Sequence, residues 1–475
     1  MTLSCDEFLA ELDFLARFSY AGSIGAARGT ERQGRRVRPD GDDVQAHATA
    51  RNAASVSRRG FLLGAGGIGA GLALAGCAPI GSSSARPETI TFYVSKPEVI
   101  GYFDELIARF HQTQSKIRVV RDSTSSMSAN FVRNRPPDLG CWNYNFSVVP
   151  FVEHGALTDL SDLPQADTIN PDLWPLMEQT ADYPGRKSAL PYSVTAASVI
   201  YNKALFAEQG IEVPTTWSEF ADVCERLTKA GIAPIYGTFK DNWTIAQGMF
   251  DYSIGGMIDT PATFEALRRE GTNVGTGSAV SFERDLREPM ERMVRLRAWH
   301  QDGAASRGYG DGNLAFAQGK AGMYLQGPWA LGEIAKTNKD MDLGTFPLPV
   351  TDDPADRKVR VNVDLALWIP EASRKQEAAR EFLTFLMQSK VNDQYNADNN
   401  GFGVRKDAPP ASNPALRGMQ SYYDDAAFYL GASQLIPAEI PVANSAQSIA
   451  FGGDPQRQLR TLDADWARLA LRTAA

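Results

Sequence analysis

The chain has 475 residues, of which 43% are hydrophobic, so it is long enough for two ordinary domains with substantial apolar cores. It carries 48 Lys and Arg against 56 Asp and Glu, a net charge of −8, and its basic residues form no cluster after residue 76. This balance argues against a nucleic acid partner, because phosphate neutralisation needs a basic surface. A neutral solute fits this charge better than an anionic one.

The histidines and cysteines indicate no metal site. The four histidines are scattered without metal-ligand spacing: His47, His111, His154 and His300. We expect Cys141 and Cys224 to be free, mostly buried thiols; the alternative is a disulfide formed in an oxidising compartment. No metal and no cofactor are expected.

An export signal is predicted before the folded part of the chain. Arg58 and Arg59 precede a glycine-rich apolar stretch that ends in Leu-Ala-Gly-Cys at Cys77. The stretch is too short for a bilayer-spanning helix, which needs about 20 apolar residues. It resembles a bacterial twin-arginine signal fused to a lipobox, which implies that the Cys77 sulfur carries a diacylglyceryl group. The alternative is a chance Arg-Arg pair before a buried glycine-rich helix.

This signal divides the N-terminal region into three parts. Residues 57–76 are predicted to be a cleaved signal peptide, and residues 77–87 the lipidated cysteine with a flexible tether. Residues 1–56 are expected to reflect a mis-assigned start codon, with Val56 a candidate initiator; the alternative is a disordered cytoplasmic extension. The protein is therefore expected on the extracellular face of the cytoplasmic membrane, anchored by lipid.

After the tether, the sequence predicts strands alternating with helices. Residues 89–94 alternate as a strand, and residues 117–120 read as the next strand. Between them four apolar residues recur at helical spacing: Phe103, Leu106, Ile107 and Phe110. This β-α-β order predicts a parallel sheet with helices on its faces.

Helix signals recur along the rest of the chain. Residues 194–201 have a strand-like pattern, and Thr216 and Glu219 have the spacing of a capping box that opens a helix to about Lys229. Apolar spacing predicts another helix over residues 376–388. Asp454 and Pro455 read as the N-cap and first residue of a C-terminal helix.

Several segments, in order, resemble family 1 extracellular solute-binding proteins of ABC importers, the group that contains the maltose-binding protein. The first is Pro191-Tyr192 followed by V-I-Y-N-K-A-L-F at 199–206 and P-T-T-W-S-E-F at 214–220. Two more are F-A-Q-G-K-A-G-M at 316–323 leading into Gly-Pro-Trp at 327–329, and A-A-R-E-F-L-T-F-L at 378–386. A fourth is P-P-D-L-G-C-W at 136–142. Together they cover most of residues 88–470.

The resemblance implies an α/β, two-lobed periplasmic-binding-protein-like fold of type II, in which lobes linked by a hinge close over a ligand cleft. We expect crossings between the lobes near 195–198, 361–364 and 393–401. The expected lobes are 88–196 with 362–395, and 197–361 with 396–475.

Candidate ligand contacts combine aromatic planes with polar side chains, as sugar rings and hydroxyls require. Trp142, Trp243 and Trp329 fall where the resemblance implies cleft loops, although each could instead pack in the core. Lys96 and Glu98 follow the first strand, where a doubly wound sheet places ligands, and Asp364 is a carboxylate in an apolar strand that could instead be a hinge residue. Weaker candidates complete the set: Asn145, Tyr192, Asp241 and Gln326. The family often has an aromatic residue where Cys141 stands, which puts the first-lobe subsite in question.

The leading hypothesis is a monomeric receptor that captures a mono- or oligosaccharide and delivers it to an ABC permease in the membrane. The chain has no P-loop, so ATP hydrolysis must occur on another chain. One alternative keeps the fold but binds a polyamine, an organophosphate or an amino-acid derivative. A more distant alternative is a secreted glycosidase; we expect no enzyme, because the chain shows no recognisable catalytic motif.

Overall fold

The computed structural model of the protein describes residues 86–473. The predicted extension, the signal with Arg58 and Arg59, and the lipidation site Cys77 lie outside these residues. Within the described part of the chain, no helix combines the length and the apolar character needed to cross a membrane.

The described residues form an α/β fold. Its strands are β1 Glu88–Tyr93, β2 Ile117–Asp122, β3 Leu139–Trp142, β4 Leu190–Asn202, β5 Ala233–Tyr236, β6 Ala321–Gln326, β7 Leu343–Phe346, β8 Val359–Trp368 and β9 Phe428–Leu430.

Helices surround these strands. They are α1 Ile100–Thr113, α2 Met127–Val132, α3 Val149–Glu153, α4 Pro164–Thr168, α5 Trp174–Thr180, α6 Lys203–Glu208, α7 Trp217–Lys229, α8 Asn242–Ile245, α9 Asp251–Ile254, α10 Thr260–Glu270, α11 Phe282–Asp285, α12 Arg287–Ala298, α13 Tyr309–Ala317, α14 Trp329–Thr337, α15 Gln376–Leu386, α16 Ser389–Asp398, α17 Arg417–Asp424, α18 Ala432–Leu435, α19 Val442–Ala450 and α20 Pro455–Thr473. A π-helical turn, Ala246–Phe250, joins α8 to α9.

The first β-α-β unit forms as the periodicity predicts. β1 and β2 pair in parallel, with Thr89 opposite Arg118. The four apolar residues of α1 are buried, because helical spacing places them on the one face that packs on the sheet. The parallel sheet is therefore confirmed at this end of the fold.

Two groups of strands meet along β4, which gives the fold its two lobes. Residues 190–197 of β4 pair with β8, which also pairs with β3 and β9. From Ser198 onward, β4 pairs instead with β6 and β7, and β5 pairs with β6. The change of partner at Ala197 and Ser198 lies within the segment predicted for the first crossing.

The segment after α16 remains attached to the first group of strands. Phe402 N–H donates to the Val194 carbonyl at 2.7 Å, and Asn170 N–H donates to the Val404 carbonyl at 2.9 Å. Contact with the second group follows only later, where the Thr345 hydroxyl donates to the Ala415 carbonyl at 2.7 Å. These bonds tie residues 402–404 to the first lobe.

Local capping accounts for two helix starts that the sequence predicts. The N–H of Glu219 donates to Oγ1 of Thr216 at 3.2 Å, and α7 ends at Lys229, just before Gly231. At the other end of the chain, the N–H of Gln456 donates to the Asp454 carboxylate at 3.0 Å as α20 begins. Side-chain acceptors here satisfy backbone donors that a helix start leaves unpaired.

Both cysteines of residues 86–473 lie in the core. Cys141 and Cys224 are buried and free, which confirms the expectation of two thiols over a disulfide. Trp466, on the apolar stripe of α20, is buried and donates its indole N–H to the Leu267 carbonyl at 3.0 Å. Its packing role agrees with the stripe predicted for the C-terminal helix.

Candidate ligand-binding site

Three neighbouring strands each supply part of a group of polar side chains. Lys96 follows β1, Asn143 follows β3, and Asp364 lies in β8; with Glu98 we call them the polar cluster. Lys96 Nζ donates to both carboxylate oxygens of Asp364, at 2.8 and 2.7 Å. Asn143 Nδ2 donates to the Asp364 carbonyl at 2.6 Å and to Oδ1 at 3.2 Å. The cluster is thus a connected network at the ends of the strands.

The polar cluster contains one ammonium and two carboxylates. Burial would lower the pKa of Lys96, but the carboxylates of Asp364 and Glu98 together outweigh it, so the pKa of Lys96 is raised. The Asp364 side chain is 12% exposed, and Glu98, 3.4 Å from Lys96 Nζ, is 59% exposed. Lys96 is therefore a charged ammonium held by two carboxylates, and only Glu98 lies well out in solvent.

Trp142 lies beside the polar cluster, at the end of β3. Its ring is partly exposed and lies 6.1 Å from the ring of Tyr93, at an interplanar angle of 60°. The Ser95 hydroxyl donates to the Tyr93 hydroxyl at 2.9 Å. The preceding residue, Cys141, is fully buried, so its side chain takes no part in this surface. The aromatic plane at this point of the first lobe comes from Trp142.

The second lobe carries three neighbouring aromatic side chains, with Trp243 next to each of the other two. The Trp243 ring lies 5.1 Å from the Tyr309 ring and 6.5 Å from the Trp329 ring. We call Trp243, Tyr309 and Trp329 the aromatic cluster. Trp243 is 36% exposed and Trp329 is partly exposed, so both present apolar ring surface that a ligand can cover.

Strand ends and one carboxylate hold the aromatic cluster in place. β6 ends at Gln326, whose Oε1 accepts the Trp329 indole N–H at 3.2 Å. A Cβ at Gly327 would overlap the Trp329 ring, so glycine lets the indole fold back on the strand end. The Asp241 carboxylate accepts the Tyr309 N–H at 2.6 Å and fixes the start of α13. Gln326 and Asp241 thus position aromatic rings.

The two clusters lie within electrostatic reach of each other. Burial raises the pKa of Tyr309 to about 12, and the carboxylates of Glu333 and Glu98 contribute to the rise. Glu98 belongs to the polar cluster on the first lobe, whereas Tyr309 belongs to the aromatic cluster on the second. The Glu98 carboxylate of the first lobe thus adds to the raised pKa of a side chain in the aromatic cluster of the second lobe.

Two of the predicted ligand contacts, Tyr192 and Asn145, make contacts within the protein instead. Tyr192 is fully buried, with its ring 5.0 Å from the Tyr395 ring and 5.9 Å from the Phe103 ring. It belongs to the core of the first lobe, and the expected ligand contact is corrected for this side chain. Asn145 is partly exposed, but its Oδ1 accepts from the N–H and the hydroxyl of Ser147, at 3.0 and 2.7 Å. A local turn therefore occupies its acceptor.

Sequence reasoning did not single out Asn143, Tyr309 or Tyr93. Asn143 adjoins Trp142, and its neighbourhood of polar and aromatic residues was a usable signal. Tyr309 is brought to Trp243 only by the folded chain. Among residues 86–473 no group of three or more His, Cys, Asp or Glu side chains is placed to hold a metal ion.

Residues 96–393 match the family described as bacterial extracellular solute-binding protein. The multiple sugar-binding protein of Streptococcus mutans is 26% identical over 238 residues, 48% of this chain and 55% of that protein. The diacetylchitobiose binding protein DasA of Streptomyces coelicolor is 27% identical over 256 residues, 52% of this chain and 55% of that protein. The chain thus spans about half the length of these curated relatives.

Solved structures share the fold. The apo-form of RafE from Streptococcus pneumoniae superposes with a TM-score of 0.71 at 20% identity, covering 81% of this chain and 99% of RafE. RafE in complex with raffinose gives a TM-score of 0.68 at 20% identity, covering 80% of this chain and 99% of RafE. At this level of identity the likeness shows the fold alone. Because the family match extends over more than half of the sequence, the chain belongs to the bacterial extracellular solute-binding proteins.

Proposed function

We propose that this protein binds an uncharged carbohydrate between its two lobes and delivers it to an ABC permease in the membrane. The observation that carries the proposal is the exposed indole surface of Trp142 on one lobe and of Trp243 and Trp329 on the other, each beside polar side chains. Sugar rings present C–H faces that stack on aromatic planes, and hydroxyls that bond to polar groups at their rim. Relatives named for sugar and diacetylchitobiose binding support this ligand class.

The charges of the site favour a neutral ligand over the charged alternatives. An organophosphate needs a cation that is free to bind it, but the Lys96 ammonium is already held by Asp364 at 2.7 Å. A polyamine needs several free carboxylates, but Asp364 is paired to Lys96 and Asp241 holds the Tyr309 backbone. Glu98 remains as the single well-exposed carboxylate of the polar cluster. We therefore rank both charged ligands below a sugar.

We propose that the protein is a receptor and not a glycosidase. Glycoside hydrolysis uses two carboxyl groups on opposite sides of a scissile bond, one of them as acid. The carboxylates of Glu98 and Asp364 instead contact the same ammonium, at 3.4 and 2.7 Å. The relatives carry binding-protein names, which agrees with this interpretation.

We also propose the membrane attachment that the N-terminal pattern predicts. A twin-arginine signal with Arg58 and Arg59 would export the chain, and a lipid on Cys77 would hold a monomer at the extracellular face of the membrane. The lobes would comprise 88–196 with 362–395 and 197–361 with 396–475, except that the bonds of residues 402–404, and the Lys406 N–H that donates to the Thr168 carbonyl at 2.9 Å, extend the first lobe to about residue 406. Loss of membrane association in a Cys77→Ala variant, together with a diacylglyceryl mass on the wild-type protein, tests the anchor.

A thermal-shift screen tests the ligand class. Raffinose, stachyose and a chitin oligosaccharide are compared with spermidine and a sugar phosphate, because a ligand that binds the native state stabilises it by RT ln(1 + [L]/Kd). We expect a sugar to raise the melting temperature. Shifts with spermidine or the phosphate alone would contradict the proposal, and hydrolysis of a sugar by catalytic amounts of protein would indicate a glycosidase.

Variants of the indoles test the site itself. Trp142→Ala and Trp329→Ala are each expected to weaken sugar binding by about 2 kcal/mol, roughly thirtyfold, because a buried aromatic anchor contributes on this scale. Phe451→Ala is the matched control, since Phe451 is an aromatic residue that is 51% exposed and lies outside both clusters. Titration calorimetry measures the affinities. Equal affinities for the Trp variants and the control would refute this site.

A further inference from the structure

β8 carries a stripe of polar side chains along one face. Successive residues of a strand point to opposite faces, so Arg360, Asn362 and Asp364 share one face, while the alternate residues are buried apolar side chains. Asp364 is part of the polar cluster. The stripe therefore leads from the candidate site to the region where β4 changes its pairing partner.

Asn362, the middle residue of the stripe, is held through its side-chain oxygen. Oδ1 accepts from the Thr195 hydroxyl at 2.8 Å and from Arg360 Nη1 at 2.8 Å. An amide oxygen accepts two hydrogen bonds, so these two donors fill it. Arg360 also fixes the orientation of the Asn362 amide. A guanidinium can only donate, and an amide NH₂ group cannot accept, so the amide oxygen must face Arg360.

The amide nitrogen of Asn362 is left as a donor. Within residues 86–473, Nδ2 makes no hydrogen bond, whereas the side chain as a whole is only partly exposed. Its two neighbours on the stripe differ from it, since Arg360 is 1% exposed and Asp364 is 9% exposed. Asn362 is therefore the member of the stripe that can still meet a solute.

A buried ion pair holds Arg360, the side chain that bonds to Asn362, in place. Arg360 Nε donates to Asp251 Oδ2 at 2.9 Å, and both side chains are fully buried. The N–H and hydroxyl of Ser433 each donate to the Asp251 carboxylate at 2.8 Å. Because Arg360 cannot turn without breaking this network, the Asn362 amide is preorganised before a ligand arrives.

We propose that Asn362 is a specificity-determining residue on the floor of the cleft, where its Nδ2 donates a hydrogen bond to an oxygen of the bound carbohydrate. This inference rests on the proposed function and adds one requirement to it: the ligand must present an acceptor at this point. An ammonium group of a polyamine is rejected here, since it would face Nδ2 donor to donor. A hydroxyl or ring oxygen satisfies it.

The substitution Asn362→Asp isolates this role. A carboxylate has the same shape and keeps an oxygen for Thr195 and for Arg360, so the ligand-free protein should keep or increase its melting temperature. It replaces the Nδ2 donor by an acceptor. We expect the affinity for whichever of raffinose, stachyose and a chitin oligosaccharide binds the wild type best to fall at least tenfold, by the loss of one buried hydrogen bond.

Asn202→Asp is the matched control. Asn202 is also held through its side-chain oxygen, at the start of α6, where Oδ1 accepts the Leu205 N–H at 3.1 Å, and it lies outside both clusters. This variant should bind the sugar as the wild type does. A second readout is selectivity: in the Asn362→Asp variant, the ratio of spermidine affinity to sugar affinity should rise, which a merely structural defect would not produce.

The outcomes distinguish a failure of the role of Asn362 from a failure of the proposed function. Wild-type binding of a sugar, with Asn362→Asp within threefold of wild type in affinity, overturns the role of Asn362 and leaves the proposed function intact. A wild type that binds none of the three sugars overturns the proposed function, and this inference with it. Equal losses in the Asn362→Asp and Asn202→Asp variants also overturn the assignment, because they would show an effect of charge alone.

Discussion

His300 is a largely buried histidine whose protonation should destabilise the protein in mild acid. Its ring nitrogen Nδ1 contacts the Leu296 carbonyl at 2.8 Å, and an acceptor at that distance requires Nδ1 to carry the hydrogen. Burial lowers the pKa of His300 from 6.5 to about 4. The ring lines a cavity of about 10 Å³, room for about one water molecule, so a charge there would be poorly hydrated.

The direction of the effect follows from proton linkage. The unfolded chain takes up the proton at a higher pH than the folded protein, so the contribution of His300 to stability is fully present above pH 6.5 and is lost as the pH falls toward about 4. Between pH 7.5 and pH 5, the two pKa values correspond to at most about 2 kcal/mol. Since part of the ring remains accessible to water, we expect about 1–2 kcal/mol.

Urea unfolding at a series of pH values measures this contribution. His300→Asn can still donate an amide hydrogen to Leu296 but cannot titrate, so its free energy of unfolding should fall less between pH 7.5 and pH 5 than that of the wild type. Parallel curves for the wild type and His300→Asn would refute the reasoning.

Two further substitutions and one control are compared by urea unfolding. Asp364→Asn should lower the free energy of unfolding by about 2 kcal/mol, because Lys96, 19% exposed, loses its charged partner at 2.7 Å; a loss below about 0.5 kcal/mol would contradict this. Gly431→Ala should cost about 3 kcal/mol, because its Cβ would overlap the Asp251 carboxylate, which is locked in a buried ion pair. Gly332→Ala, in a helix where nothing lies within 4 Å of the added Cβ, should instead gain up to about 1 kcal/mol; equal effects at the two glycines would rule out the overlap.

Local sequence patterns were sufficient for much of the fold. The helical spacing of α1 and the hydroxyl cap at Thr216 gave elements close to those observed, Ile100–Thr113 and Trp217–Lys229. Both signals act between residues no more than four apart, and helix geometry translates them directly into a buried face or a capped end. Such patterns carry no information on the third crossing, because it depends on bonds such as Phe402 to Val194, which join distant parts of the chain.

The site was only partly predictable for the same reason. Strand ends predicted that Lys96 and Trp142 lie at one edge of the sheet, since side chains that follow parallel strands meet there; their contact with a ligand stays a prediction. Tyr192 was misplaced because every residue from 190 to 200 in β4 is buried, so no alternation distinguishes a cleft face from a core face. Asn143 was missed because its partner Asp364 is 221 residues away. The alternating polar residues of V-R-V-N-V-D-L were the one local signal for Asn362.

The polar stripe of β8 runs from the candidate site to the junction between the lobes. Each of its two charged residues is paired with a residue of opposite charge. At one end of its polar stripe Arg360 is neutralised by Asp251, and at the other end Asp364 is neutralised by Lys96. Asn362 stands between them, and four residues of strand span about 13 Å. A ligand over this stripe meets no uncompensated charge, only one fixed neutral donor. Under the proposed function, an uncharged, oxygen-rich ligand is complementary to this stripe. Asn362 also bonds to Thr195 in β4, so side chains from both β4 and β8 hold this donor in place.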